Sequence, residues 1–127
     1  MPFIEVPVGD VQIPDAVPEG EYELLIEDVT EVEREEERRT DLRVRMSVIG
    51  HPEAESVFEN LIGIAPEDDE KKMKFKLRRI RGFLEAFGID FEAGGFNTED
   101  MIGVANTLAL TQEEYKGRIS NKLVYRW

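Results

Sequence analysis

The ten residues DLRVRMSVIG, positions 41 to 50, alternate without a break, with Leu42, Val44, Met46 and Val48 on one side and Arg43, Arg45 and Ser47 on the other. A period of two places successive side chains on opposite faces of a strand, so this segment has one apolar and one wet face. Strands of a helix-covered parallel sheet read instead as continuous apolar runs. The alternation therefore calls for an antiparallel sheet whose outer face carries arginines into water.

Neighbouring segments supply the rest of such a sheet. EGEYELLIEDVTEVER, residues 19–34, follows a Pro-Glu-Gly turn and reads as strand one. Tyr22, Leu24 and Ile26 share a face while Val29 falls on the other, which implies a bulge or sharp bend in the middle. After the turn GHPE, SVFENLIGI from Ser56 gives strand three. PEDDEKKMKFKLRRIRGFLEAFG predicts a helix, with Pro66 at its first position and acids ahead of bases as the helix dipole prefers. Met73, Leu77, Ile80, Leu84 and Phe87 form its apolar stripe, and Gly88 ends it. NTED at 97–100 suits the cap of a short turn, and GVANTLALT and RISNKLVYRW make strands four and five, joined by QEEYKG with a hairpin glycine at Gly117.

The order βββ-α-ββ is that of the OB-fold, an all-β five-stranded Greek-key barrel with one main helix plugging an end. A two-layer α+β sandwich has the same order, but the bent first strand and the size of the unit, residues 19–127, favour the barrel. Residues 1–18 hold four of the six prolines and predict an extended N-terminal arm. Phe3, Ile4, Val6, Val8, Val11 and Ile13 make that arm too apolar for a free tail, so it is expected to lie on its own domain or on a neighbouring copy, as in a homodimer.

A chain of 127 residues is long enough for one core. Without cysteine it has no disulfide framework, thiolate zinc site or thiol nucleophile. No apolar run reaches the ~18 residues of a membrane span and no leader pattern opens the sequence, so a cytoplasmic protein without membrane association is expected.

A formal charge of −12 suggests at first a chain that nucleic acid would repel. Its distribution reverses the inference: residues 1–37 carry 13 acids and one base, Arg34, whereas residues 38–127 hold 15 of each. Local field decides binding, because screening at about 0.15 M salt cuts interactions off over roughly 8 Å. In an OB barrel, oligonucleotides and oligosaccharides bind on the face of strands two and three between the 1–2 and 4–5 loops. Arg43 and Arg45 fall on that face, Arg38 and Arg39 end the first loop, and Lys116 and Arg118 flank the last, with Lys122 and Arg126 following on strand five. Tyr115, Tyr125, Trp127 and Phe58 supply rings; single strands are held by a cationic track with flat rings for the bases. Tyr125 and Trp127 are open to two roles, stacking platforms or rings packed in the barrel or against the arm. Phe58 has the same choice, since Phe58, Asn60 and Ile62 could form the core face of strand three.

In this order, VPEGEYELLIEDV, DLRVRMSVIG, VFENL, KLRRIRGFLEAFGID and EEYKGRISNKLVYRW resemble the phage and prophage single-stranded DNA-binding proteins of OB-fold type, over residues 17–127. The carrying positions are Phe83, Gly88 and Ile89 at the helix end and Tyr115, Gly117, Arg118 and Asn121 in the hairpin. The resemblance implies a non-enzymatic protein that protects single strands in phage DNA replication or recombination, with replication or recombination proteins as partners. Members often recruit these through an acidic, aromatic-tipped C-terminal tail; here the acidity lies at the other end, so the Glu-rich connection after strand one and the N-terminal region are the expected substitute.

Competing readings are weaker. Lys71, Lys72, Lys74, Lys76, Arg78, Arg79 and Arg81 make the helix cationic, but Glu67, Asp68 and Glu70 stand four residues before Lys71, Lys72 and Lys74, the spacing of a solvated, ion-paired face. The acids of EDDE point in different directions around a helix and predict no metal site, and no nucleotide-binding glycine loop calls for a cofactor. His51 in its Gly-His-Pro turn has no second ligand or nucleophile nearby in sequence, which argues against a nuclease or sugar hydrolase. An OB-type protein-interaction module of a replication complex is the remaining alternative; such a module has no need of arginines on strand two.

Overall fold

The computed structural model describes residue 3, residues 15–92 and residues 94–127. Five antiparallel strands, β1 (Gly20–Arg34), β2 (Arg39–Val48), β3 (Val57–Leu61), β4 (Ala105–Tyr115) and β5 (Arg118–Val124), form one sheet in the order β3-β2-β1-β4-β5. One helix, α1 (Glu70–Phe87), joins β3 to β4, followed by a 3-10 turn at Thr98–Asp100. The all-β class with one main helix is thus the observed one. Of the predicted arm, residues 15–18 lie against the domain and Phe3 is exposed; its other positions fall outside the described residues.

β1 organises the sheet because it serves two partners in succession. Gly20–Leu25 pair with β4, and Leu24–Arg34 pair with β2. The register with β2 shifts between Ile26 and Asp28, the bulge that the change of apolar face at Val29 predicts. A bulge bends the strand and adds twist, so the two ladders lie on different parts of a curled surface. As a result the edge strands β3 and β5 come within 8 Å, Cα to Cα, with no ladder between them.

Inside the curl, Leu24, Ile26, Val44, Met46, Val57, Leu61, Leu110 and Leu123 meet Phe83, Leu84 and Phe87 of α1. The buried side of the helix differs from the predicted stripe. Lys76 and Phe83 turn inward while Leu77 is 50% exposed. The Lys76 ammonium explains the rotation: it donates to the Gly63 carbonyl at 2.9 Å and to Asp68 at 2.6 Å, tying the helix to the preceding loop. Lys76 is therefore not part of a solvated face. Helix formation begins at Glu70 rather than Pro66, because Asp69 accepts from the Lys72 N–H and caps it. Gly88, in the left-handed region, closes it.

Each acid of EDDE has a separate duty: Glu67 pairs with Arg38, Asp68 with Lys76, Asp69 caps, and Glu70 pairs with Lys74. Among the described residues no helix is long and apolar enough to cross a membrane, and no three His, Cys, Asp or Glu side chains are placed to hold a metal ion.

Two carboxylates lock this frame. The Ala65 N–H and the Lys76 ammonium hold the Asp68 carboxyl below its usual range against the opposing effect of burial. For Asp41 burial is the largest influence and raises its pKa, but the Gly63 N–H, Arg39 and Arg34 together outweigh it and leave the group lowered. A depressed folded-state pKa stabilises the fold above the unfolded value, and that stability disappears as pH falls through the folded one. The thermal midpoint should hold from neutrality down to about pH 4 and fall below it, and Asp68→Asn should be less stable at neutral pH with a flatter acid limb; an acid limb unchanged by that substitution would contradict the assignment.

Candidate nucleic-acid interface

β2 keeps Val44, Met46 and Val48 inside, with Leu42 half-buried beside them, and puts Arg43 and Arg45 outside, as the alternation requires. On β3, Val57, Glu59 and Leu61 point inward and Phe58 and Asn60 outward. Phe58 therefore belongs to the outer face, 41% exposed, and the alternative in which it supplied the core is corrected. In register, Arg43 faces Asn60 and Arg45 faces Phe58, and the Arg43 guanidinium lies 4.2 Å from the Phe58 ring centroid. This cation–π contact holds the ring against the sheet with the charge beside it.

Phe58 and Asn60 also form one wall of a cleft of about 390 Å³ along the seam where β3 approaches β5. Ser120 and Lys122 of β5 and Glu113 of β4 form the other. The seam is bridged at both ends. At one, Asp15 accepts from the Glu55 N–H and donates its own to the Glu53 carbonyl, and Val17 is gripped by the Asn121 side-chain amide. Asn121 accepts from the Val17 N–H at 2.8 Å and donates to its carbonyl at 2.9 Å, pairing with the peptide as an adjacent strand would. Arg118 crosses the same end to Glu55. At the other, Glu59 receives Arg79 of α1 at 2.7 Å, and Arg79 Nε donates to the Tyr125 hydroxyl at 3.3 Å. Between the two clasps the seam is open.

The β4–β5 connection is shorter than predicted. β4 runs through Tyr115, leaving Lys116 and Gly117 as a two-residue turn with both φ positive, the type I′ geometry that favours glycine at the second place. Tyr115 is 71% exposed at the tip, with the Lys116 ammonium 5.3 Å from its ring centroid.

Not every predicted residue joins this surface. Arg38 pairs with Glu67, and Arg39 binds the buried Asp41 at 2.9 Å; together they line a separate recess beside Ile64. The loop placed them near strand two, but Asp41, which also accepts from the Gly63 N–H, takes Arg39 for the fold. Tyr125 is half-buried edge-on against Phe83, and burial raises its pKa above the ordinary phenol value, so it packs rather than offering a free face. Arg126 and Trp127 turn onto α1, where Gly82 has no room for a Cβ beside them. The residues that share the seam face are thus Arg43, Arg45, Phe58, Lys122 and, at its clasped end, Arg118, with Tyr115 and Lys116 at the hairpin tip.

Asn60, Glu113 and Ser120 were missed. For Asn60 the signal was present: Val57 and Leu61 are apolar at the alternate positions of VFENL, which leaves polar Asn60 to face water and carries Phe58 with it; Glu113 and Ser120 reach the cleft only because β5 is brought up to β3. Electrostatically the cleft is mixed. Glu55 and Glu59 are held in ion pairs, whereas Glu113 has no ion pair among the described residues. The acids of β1 lie on the central strand, two strands from either edge of the seam, but they flank the arginines of β2, with Asp28 the cross-strand partner of Arg45. One of them, Glu27, reaches Arg45 at 3.4 Å, a pair about 40% exposed on each side.

No protein-family model matches the chain, and no curated protein matches it.

Asn121 carries one clasp on three hydrogen bonds, the third to the Thr111 carbonyl at 3.2 Å. Asn121→Ala leaves the Val17 N–H unsatisfied and should lower unfolding free energy by about 1–3 kcal/mol in urea titration; an unchanged midpoint would remove the clasp from the account.

Proposed function

We propose that the protein binds single-stranded DNA, without catalysis and with slight sequence preference, along the seam between β3 and β5. The observation that carries this reading is the adjacency of rings and cations at the open seam: Phe58, Asn60 and Lys122 line the cleft, Arg43 and Arg45 stand beside Asn60 and Phe58 on the neighbouring strand, and Arg118 sits at the clasped end. Strand order supports the finer reading of the fold as an OB barrel, since β1 pairs with both β2 and β4 and the β3–β5 edge stays partly open. The resemblance to phage single-stranded DNA-binding proteins supplies the setting, replication or recombination of phage DNA.

Physically the surface suits a flexible polyanion. Phe58 and Tyr115 offer rings to unstacked bases, each stacked base contributing about 1–3 kcal/mol, and sequence tolerance follows because every base has a flat face. Arg43, Lys116 and Lys122 make no ion pair among the described residues. Arg45 and Arg118 are paired, but exposed pairs contribute only about 0–1 kcal/mol, so exchanging a carboxylate for a phosphate costs little. Hydrolysis would need an acid, a base and an orienting group around a reacting atom; of the cleft carboxylates Glu55 and Glu59 are tied to arginines, which leaves Glu113 as a lone acid without the pair such chemistry uses.

If those five cations each neutralise one phosphate, log affinity should fall against log salt with a slope of about −3.5, at ~0.7 per contact for single strands. Arg43→Gln with Arg45→Gln, which removes both charges without setting a new carboxylate against Glu27 and Asp28, should weaken binding several-fold and flatten that slope with the fold retained and only a small loss of melting temperature; a salt-independent affinity, or unfolding of the double variant, would contradict the assignment. Glu113→Gln removes a negative charge from the cleft wall and should tighten oligothymidylate binding about two- to five-fold. If the cleft holds a basic peptide, as an interaction module would, the same change weakens binding, so its sign separates the two functions.

A further inference from the structure

The seam does not end at the Arg79 clasp. A second recess, about 350 Å³, continues from it along Thr111, Lys122, Val124 and Tyr125 to Trp127, sharing Glu59, Arg79 and Lys122 with the first. A third, about 700 Å³, begins at Trp127 and runs over α1 between Arg126, Arg78 and Arg81. The first two share three residues and the second meets the third at Trp127, so the recesses follow one another from β3 to the outer side of the helix.

Trp127 is built into this path. Gly82 is the reason it can lie so close: a Cβ there would collide with the Arg126 carbonyl and the Trp127 Cβ. The Phe75 ring meets the indole edge-on at 4.9 Å and the Arg79 guanidinium sits 5.6 Å from its centroid, with Arg79 itself fixed by Glu59 and Tyr125. Held from two sides, the indole is still 43% exposed and Phe75 is exposed beside it. Beyond it the groove is lined by cations: Arg78 and Arg126 have no side-chain ion pair among the described residues, and the one acidic side chain in the lining, Glu85, is bound to Arg81 at 2.8 Å.

From this geometry we infer that a single-stranded polynucleotide continues past the seam, stacks a base on Trp127 and lays its next phosphates in the arginine groove of α1. The inference rests on the reading of the seam given above and extends it to a second half-site of the same chemistry. A ring flanked by fixed cations is what sequence-tolerant single-strand binding uses. Continuity with the seam favours polynucleotide over an acidic peptide, which would have no use for the first half of the groove.

The length of the ligand separates the halves. Single-strand site sizes run from about 4 to about 16 nucleotides per barrel, so an oligothymidylate of about four nucleotides reports on the seam and one of about twelve on the whole groove. The twelve-mer should bind at least about ten-fold more tightly and quench Trp127 emission, reversibly with salt, while the four-mer leaves that emission nearly unchanged. Arg78→Glu with Arg81→Glu, both on the exposed side of the helix, should remove most of the twelve-mer's advantage, and helical circular dichroism checks that α1 is intact. Equal affinity for the two lengths, or a twelve-mer advantage that survives the double variant, would overturn the extension while leaving the seam standing. Quenching by polyglutamate but not by the twelve-mer would overturn it in favour of an acidic peptide. Failure of both oligomers to bind would overturn the seam reading and this one together.

Discussion

The structure depends on one strand pairing with two partners that it cannot face in the same plane. β1 spends Gly20–Leu25 on β4 and Leu24–Arg34 on β2, and the bulge after Ile26 turns the strand between them. Once β1 bends, the meander of β1, β2 and β3 and the hairpin of β4 and β5 become two wings of one curl, and their free edges are brought face to face. Those edges never pair. A row of unpaired backbone groups at a strand edge is ordinarily a liability; here two clasps hold it, Asn121 with Val17 at one end and Glu59, Arg79 and Tyr125 at the other.

The same bend places the charge. Residues 1–37 carry the whole net charge of −12, and the acids of β1 among them sit on the central strand, two strands from either edge of the seam, with Glu27 and Asp28 beside Arg45. The outer faces of β2, β3 and β5 are left with arginines, a lysine and exposed rings. Net charge is therefore a poor guide to the local surface: fields are screened within roughly a nanometre, so a chain of −12 can still carry cationic patches.

Local patterns were legible in the sequence, and long-range partners were not. The alternation of residues 41–48 gave the two faces of β2, the change of face at Val29 gave the bulge, and Gly88 gave the helix stop. What failed depended on which polar groups the fold buries and therefore pairs. Lys76 turns inward because Asp68 and the Gly63 carbonyl await it, Arg39 is taken by a buried Asp41, and Trp127 settles on a helix whose Gly82 makes room. None of these has a periodic signature. Asn121 is intermediate: it stood out within the hairpin motif, but its role as a surrogate strand partner for Val17 needs the fold.

The central claim is that the β3–β5 seam, rather than the hairpin loop of β1 and β2, is where a single strand lies. Backbone amide chemical shifts followed through a titration with oligothymidylate test it most directly. The account predicts the largest changes at Phe58, Asn60, Ser120 and Lys122, and little at Glu35–Arg38. Changes centred on Glu35–Arg38, or spread evenly over the domain, would contradict it.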